Sequence, residues 1–361
     1  MTSVIAEKGS VLMSALTVAS RGRLAGALIP AIALGIAGIV VAQSGAEAAP
    51  KAPALHAGPK IALGTTKNVT NNAFAQAPNG AVFYSRGAVV YVVAGNSAPR
   101  TVLHAGGTVL AIAASASDLF VQNGLTVTEY RKSDVSKVRH WKLPHQPAPV
   151  TMAGLFAEGG TLWSWIDTET DSSGLEFATV SRIATARSAV HVITKFAFPD
   201  AMDANSSGFY FENTNSGQTR YFLAHATASG AVSERKQPAV RFGPLPLAVI
   251  GGRIDLLTFA AHPGVNSYNA KTLALVSSKR VTATDTSIAA TGIGLVVLGQ
   301  VCHNGLKCGK PAVSKLNAAT GHSSGAVTVP DAFELVAGPS AVVIEISHGL
   351  RGTMTLQRIS S

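Results

Sequence analysis

One short pattern recurs along this chain and constrains its fold more than any other feature. Small or turn-forming residues lead into an apolar run at Asn79-Gly80-Ala81-Val82-Phe83-Tyr84, Ser117-Asp118-Leu119-Phe120-Val121, Gly159-Gly160-Thr161-Leu162-Trp163-Ser164-Trp165 and Ser207-Gly208-Phe209-Tyr210-Phe211. The pattern returns at Gly252-Arg253-Ile254-Asp255-Leu256-Leu257, Ile293-Gly294-Leu295-Val296-Val297-Leu298 and Pro339-Ser340-Ala341-Val342-Val343-Ile344. Between Val82, Leu119, Leu162, Phe209, Ile254, Leu295 and Val342 the spacings are 37, 43, 47, 45, 41 and 47 residues. A period of about 40 to 50 residues is that of a four-stranded antiparallel sheet repeated around an axis.

The surroundings of each copy agree. A strand of small apolar residues precedes it, as in Thr108 to Ala114, Pro246 to Gly251 or Ser287 to Thr291, and such strands suit a crowded centre. A third strand, a turn and a fourth strand follow, as in Val313 to Gly321 and then Ala326 to Val329. No long run after residue 60 combines helical apolar spacing with caps. The expected fold is all-β, a single seven-bladed β-propeller of four-stranded antiparallel blades, with six or eight blades left open by the degeneracy of the repeat. Only one strand, Thr353 to Ser360, fits after the last copy, while Ile61 to Lys67 is unassigned at the other end. Pairing those two would close the ring and hide both sheet edges.

The N-terminus carries the address. Arg21 and Arg23 precede 19 apolar residues, Leu24 to Ala42, and Ala46 and Ala48 stand at the third and first positions before a cut. That order reads as a signal peptide over residues 1–48, with Ala49 as the mature N-terminus. The rival is an uncleaved anchor, since 19 apolar residues just span a bilayer. Residues 49–60, rich in Ala and Pro, read as a linker, and residues 61–361 as the propeller domain. The expected location is secreted or cell envelope, or membrane-anchored with the propeller outside. Cleavage leaves 26 basic and 17 acidic side chains, a net charge of +9. On an exported chain the fitting counterparts are anionic polymers, small acidic ligands or proteins, not nucleic acid, with the membrane touched only through an uncleaved N-terminal segment. A monomer is expected. The densest basic stretch, Arg131, Lys132, Lys137, Arg139 and Lys142, reads as one solvated hairpin.

The texture resembles propellers with quinoprotein-type, YVTN-type or NHL repeats. Leu316-Asn317-Ala318-Ala319-Thr320-Gly321 is similar to their third-to-fourth strand turn, and Pro78-Asn79-Gly80 to the first-to-second strand turn of NHL and YVTN blades. The resemblance covers residues 61–361 and implies fold. Quinone-binding dehydrogenases of this texture carry a docking Trp in each blade and adjacent cysteines over the cofactor. Neither stands in this chain, so no cofactor or catalytic residue is carried over.

Each candidate for chemistry has a structural reading beside it. Gly321-His322-Ser323-Ser324-Gly325 spells a nucleophile elbow but lies where a β-hairpin turn is expected, without the parallel sheet and helix an elbow needs. Asp167, Glu169 and Asp171 alternate as weak calcium ligands do, yet Ser172 and Ala178 stand where an EF-type loop needs Gly and Glu. A solvated acidic loop is the simpler reading. Cys302 and Cys308 fall in one short loop, and in an oxidising compartment they are expected to form a disulfide. Trp163 and Trp165 point the same way from one strand and read as packing between blades. The second-to-third strand loops share one face, and their polar ends supply a ligand-binding rim of Arg86, Asn123, Asp167, Glu212, His262, His303 and His348. The spacing of adjacent blades argues against a metal shared among them. The function expected is an exported, non-catalytic binding or scaffold module for an envelope or extracellular ligand or protein. The alternative is a secreted lyase or hydrolase with its site at the channel mouth, which requires titratable groups within hydrogen-bond reach.

Overall fold

The computed structural model describes residues 54–66, 72–145, 150, 152–168, 177–185, 189–214, 220–237, 246–258, 264–281, 284–300, 302–303, 307–347 and 352–361. All regular structure among them is β. Strand β1 (His56–Thr66) comes first. Four antiparallel strands follow as one sheet, β2 (Phe74–Gln76), β3 (Val82–Arg86), β4 (Val89–Val93) and β5 (Arg100–His104), and four more as a second, β6 (Ala111–Ala114), β7 (Asp118–Asn123), β8 (Thr126–Arg131) and β9 (Lys137–Lys142).

The next sheet has seven strands: β10 (Ala153–Glu158), β11 (Thr161–Thr168), β12 (Phe177–Ala184), β13 (Ala189–Asn205), β14 (Gly208–Thr214), β15 (Tyr221–Ala226) and β16 (Val232–Lys236). Then come β17 (Leu247–Ile250), β18 (Arg253–Thr258), β19 (Gly264–Asn269) and β20 (Leu275–Arg280) as one sheet. In the following sheet β21 (Thr284–Thr291) and β22 (Gly294–Gln300) are joined by β25 (Ala312–Asn317) and β26 (His322–Thr328), with β22 paired directly to β25, and the chain between β22 and β25 forms a small ribbon of its own, β23 (Cys302–His303) and β24 (Lys307–Cys308). The last sheet takes β27 (Ala332–Val336), β28 (Ala341–Ile346) and β29 (Gly352–Ser360), with β1 as its outer strand.

Each of the seven sequence repeats falls on a strand paired on both sides: β3, β7, β11, β14, β18, β22 and β28. The first strands follow one another around a ring. β2 packs against β6, β6 against β10, β10 against β13, β13 against β17, β17 against β21, β21 against β27, and β27 returns to β2. Apolar clusters fill the spaces between consecutive sheets, such as Ala111, Phe120, Trp141, Leu155 and Leu162 between the second and third four-strand sets. The fold is a β-propeller.

Two features differ from the expectation. The segment read as a linker contributes to the ring, because β1 begins at His56 rather than Ile61. Between the two sets, β13 runs from Ala189 to Asn205 as one uninterrupted strand. Ala197 of the 17-residue β13 pairs with Ala178 on one side and Asn213 on the other, so one strand leaves the edge of one four-strand set and enters the centre of the next. The pairing with β14 lapses between Ala197 and Met202, where Pro199 supplies no N–H.

Both ends of the chain meet in the last sheet. β1 runs antiparallel to β29 from His56↔Ser360 to Thr66↔Gly352, with bulges after Ala57 and Ala62. The Lys60 ammonium lies 2.7 Å from Oε2 of Glu345, whose residue is 1% exposed, and the Gln357 amide donates to Gly58 O at 2.8 Å. On the other side of the seam Gln76 exchanges hydrogen bonds with Ser340, Nε2 to Oγ at 2.7 Å and Ser340 N to Oε1 at 2.9 Å.

Candidate functional site

The second-to-third strand connections all emerge on one face of a propeller, as do the links from one sheet to the next. Of the expected rim, Arg86, Asn123, Asp167 and Glu212 are described with their side chains. His303 is described as part of β23 only, and His262 and His348 lie outside the described residues, as do Glu169 and Asp171 of the candidate calcium loop.

The four described side chains do not form an open ring. Arg86 reaches back to β1: Nη1 donates to Leu63 O at 3.2 Å, Nη2 to Tyr91 Oη at 3.5 Å, and the guanidinium stands 5.1 Å from the Tyr91 ring centre. Tyr84 donates its hydroxyl to the same Leu63 carbonyl at 2.9 Å, and burial pushes its pKa up to about 12. Gly64 makes room for this latch. Its φ of +102° suits glycine, and a Cβ there would collide with the Arg86 guanidinium. Asn123 ties the first-to-second sheet link by donating to Ala105 O at 3.4 Å. Asp167, expected in a loop, is still in strand, paired with Ala178.

Glu212 needs a correction. It is 2% exposed and lies within β14, every residue of which is buried. A second strand is covered on both faces by neighbouring sheets, so a carboxylate near its end faces the next sheet rather than solvent. Glu212 acts there on Tyr268, whose hydroxyl is pushed up to about 12, first by burial and then by that negative charge.

The other candidates resolve into structure. Ser323 sits opposite Leu316 just inside β26, on an antiparallel hairpin, and a Cβ at the preceding turn residue Gly321 (φ +77°) would strike the Arg280 carbonyl of the neighbouring sheet. Trp163 is 1% exposed and stacks on Phe209 at 5.4 Å and 19°, with Trp165 against the same cluster.

Sequence reasoning missed the carboxylates on the first strands of the sheets. Asp203 Oδ2 accepts the Val249 N–H of the next sheet at 2.7 Å, and Oδ1 accepts the Ala204 N–H at 2.8 Å. Burial nevertheless raises its pKa to about 7, against those two donors and helped by Glu158 on β10. Glu334 on β27 rises to about 7 through burial alone. The signal was available, since Asp203 stands between Met202 and Ala204 and Glu334 between Phe333 and Leu335, acidic residues with apolar neighbours inside strands. Among the described residues no three His, Cys, Asp or Glu side chains gather as a metal site would require.

These pKa values fix a sign. A carboxyl whose folded pKa exceeds its unfolded value near 3.9 to 4.3 holds its proton more tightly when folded, so the stability these two groups contribute is fully present below about pH 4 and is lost as pH rises towards 7. Denaturant midpoints at pH 4 and pH 8 are expected to show the Asp203→Asn, Glu334→Gln double variant losing less stability over that interval than the parent, by on the order of 2 kcal/mol. Equal losses in both proteins would refute the assignment.

No family model and no curated protein matches the sequence. The solved structures it is similar to are propellers. A chain of the mitotic checkpoint complex aligns over 85% of this chain and 95% of its own, with 12% identity and a TM-score of 0.56. The Cps50 (Swd1) β-propeller domain of Myceliophteria thermophila aligns over 81% of this chain and 98% of its own, with 12% identity and a TM-score of 0.54. The AfRom2 CNH domain aligns over 84% and 99%, with 10% identity and a TM-score of 0.50. At such identities the likeness is one of fold.

Proposed function

We propose that this chain is an exported seven-bladed propeller, each four-strand set counting as one blade, that serves as a non-catalytic binding or scaffold module for an envelope or extracellular ligand or protein. The observation that carries the reading is the β23–β24 ribbon, a small sheet of its own formed by the connection from β22 to β25, on the face of the second-to-third connections. A rigid ring that projects an irregular element on one face is a scaffold for recognition. The non-catalytic part rests on the use of the described chemistry: Arg86 holds β1, Glu345 pairs with Lys60, and Asp255 accepts from Arg253 Nε at 2.8 Å and Ser267 Oγ at 2.6 Å. The likeness to a subunit in a checkpoint assembly supports a protein partner.

Cys302 and Cys308 are direct partners in the antiparallel register of the ribbon, a pairing that suits a disulfide in an oxidising compartment. Thiol labelling of the unfolded, unreduced exported protein is expected to be negative. Two labelled cysteines per chain would remove the disulfide. The experiment for the function is mass spectrometry of what co-purifies with the native exported protein, whose N-terminus is expected at Ala49, beside a variant with residues 302–308 replaced by a short Gly-Ser turn. A partner lost from the variant supports the reading, and a partner retained in full places recognition elsewhere.

A further inference from the structure

Three turns between third and fourth strands are built alike. Val135 N donates to Arg131 O at 2.9 Å, Leu273 N to Asn269 O at 2.8 Å, and Gly321 N to Asn317 O at 2.7 Å. All three donors have positive φ, +58°, +55° and +77°. Matching donor to donor and acceptor to acceptor sets Tyr130-Arg131-Lys132-Ser133-Asp134-Val135 against Tyr268-Asn269-Ala270-Lys271-Thr272-Leu273. A left-handed conformation is strained for a non-glycine residue, and more so for a β-branched one, so the side chains of Val135 and Leu273 must contribute something in return.

For Leu273 the return is packing. Leu273, Ala270 and Tyr268 are 2%, 4% and 3% exposed, and they close the space against Tyr210 of the preceding sheet. In the β21–β26 sheet Leu316 and Ala318 are buried and the Arg280 carbonyl lies against Gly321. In the second sheet the same niche stays open. Val is shorter than Leu, Phe83 stands where the other interface has Tyr210, and Lys132 replaces Ala270. The result is a cavity of about 230 Å³ between the first and second sheets, walled by Phe83, Leu119 and Tyr130, with the exposed Arg100 and Arg131 and the half-buried Lys132 also lining it.

We propose that this cavity receives a large apolar side chain from an acidic, extended segment of a partner protein, whose flanking carboxylates meet Arg100, Arg131 and Lys132. Its volume falls below the range of about 300 to 1,000 Å³ typical of cofactor and drug-sized ligand sites and suits a single anchoring side chain. The cations match an acidic partner. Lys132 uses one of its three N–H groups on Ser115 O at 2.5 Å and keeps two. Arg131 has only a loose, exposed pair with Asp134 at 3.7 Å, which a ligand carboxylate can displace. Asp118 is the other acidic group near Lys132, and its Oδ2 accepts from Ser117 Oγ. First-to-second and third-to-fourth turns share the face opposite the β23–β24 ribbon, so this site is separate from the one proposed above.

The repeat supplies its own test. Grafting the closed interface onto the open one, with Val135→Leu and Lys132→Ala, fills the niche with residues the same turn already accepts, so the fold is expected to survive. The probe is a short fluorescent peptide carrying one Trp between flanking Glu residues, titrated against the full chain and followed by anisotropy. The parent is expected to bind with Kd below about 1 mM, more weakly as salt rises, and the grafted variant at least tenfold more weakly. A variant that binds as the parent does, a parent that fails to bind, or a parent that takes dodecanoate and not the peptide would each overturn the proposal. Neither titration involves the ribbon.

Discussion

Removal of residues 54–66 is expected to leave a chain that does not fold and aggregates, whereas a chain beginning at Ala54 melts as the longer protein does. β1 pairs with β29 along its length and buries Ile61 and Leu63, which are 7% and 2% exposed. Those two side chains are worth about 1.5 to 3 kcal/mol each. The deletion also strips partners from groups that stay buried. Glu345 loses Lys60, the Gln357 amide loses Gly58 O, and Tyr84 and Arg86 lose Leu63 O. A buried polar group left without its partner costs about 1 to 3 kcal/mol, more when charged, so the sum is comparable with the roughly 5 to 15 kcal/mol that holds a typical domain. What remains exposes the edge of β29 as a template for aggregation. Lys60→Met alone is expected to cost about 2 kcal/mol, below the figure for a fully buried pair because water reaches Lys60, and adding Glu345→Leu is expected to recover most of it. Thermal unfolding and size-exclusion chromatography read all four proteins. If the 54–66 deletion melts within about 2 °C of its parent and elutes at the size its parent does, closure by β1 is wrong.

The repeat was legible because a strand buried on both faces must be apolar throughout and must be entered through a turn, and both marks survive sequence drift. Thus Val82, Leu119, Leu162, Phe209, Ile254, Leu295 and Val342 all fall on second strands. The exact start of β1 was not legible. His56 to Lys60 are held by backbone pairing and by the reach of Lys60 to Glu345, neither of which favours apolar residues, so the segment reads as linker. The continuity of β13 was hidden for a related reason: Pro199 marks a loop in most contexts, but here it falls where the pairing register lapses anyway. The candidate rim was legible only as a list of strand ends. Whether a strand end reaches solvent depends on the neighbouring sheet, which is why Glu212 is buried and Arg86 is spent on β1. The open niche depends on Phe83 and Val135 meeting across two sheets, although aligning Tyr130 to Val135 with Tyr268 to Leu273 already shows the loss of a plug.

Phe209→Ala is expected to destabilise the propeller more than any other single truncation of an apolar side chain. Phe209 is fully buried at the first position of the apolar run in β14 and touches three rings: Trp163 at 5.4 Å, Phe156 at 5.3 Å in an edge contact, and Phe211 at 5.7 Å. Trp163 and Phe156 come from the preceding four-strand set, so Phe209 fastens together the two sets that β13 already joins through the backbone. Relaxation into the gap is limited on both sides. β13 is paired through Ala197 with strands of each set, and Trp163 is held between Leu162 and Ser164 in a strand paired on both edges. Truncating a buried Phe costs about 3 to 5 kcal/mol, and a site that cannot collapse belongs at the upper end. Lost ring contacts push the same way. At roughly 2 °C per kcal/mol for a domain of this size, Tm is expected to fall by about 8 to 10 °C. Phe209→Leu keeps most of the volume and is expected to lose only about 1 to 1.5 kcal/mol. Urea unfolding of the two variants separates the outcomes. A loss below about 1 kcal/mol for the alanine variant would mean that the rings are not packed between the two sets, and the propeller would then be joined there by β13 alone.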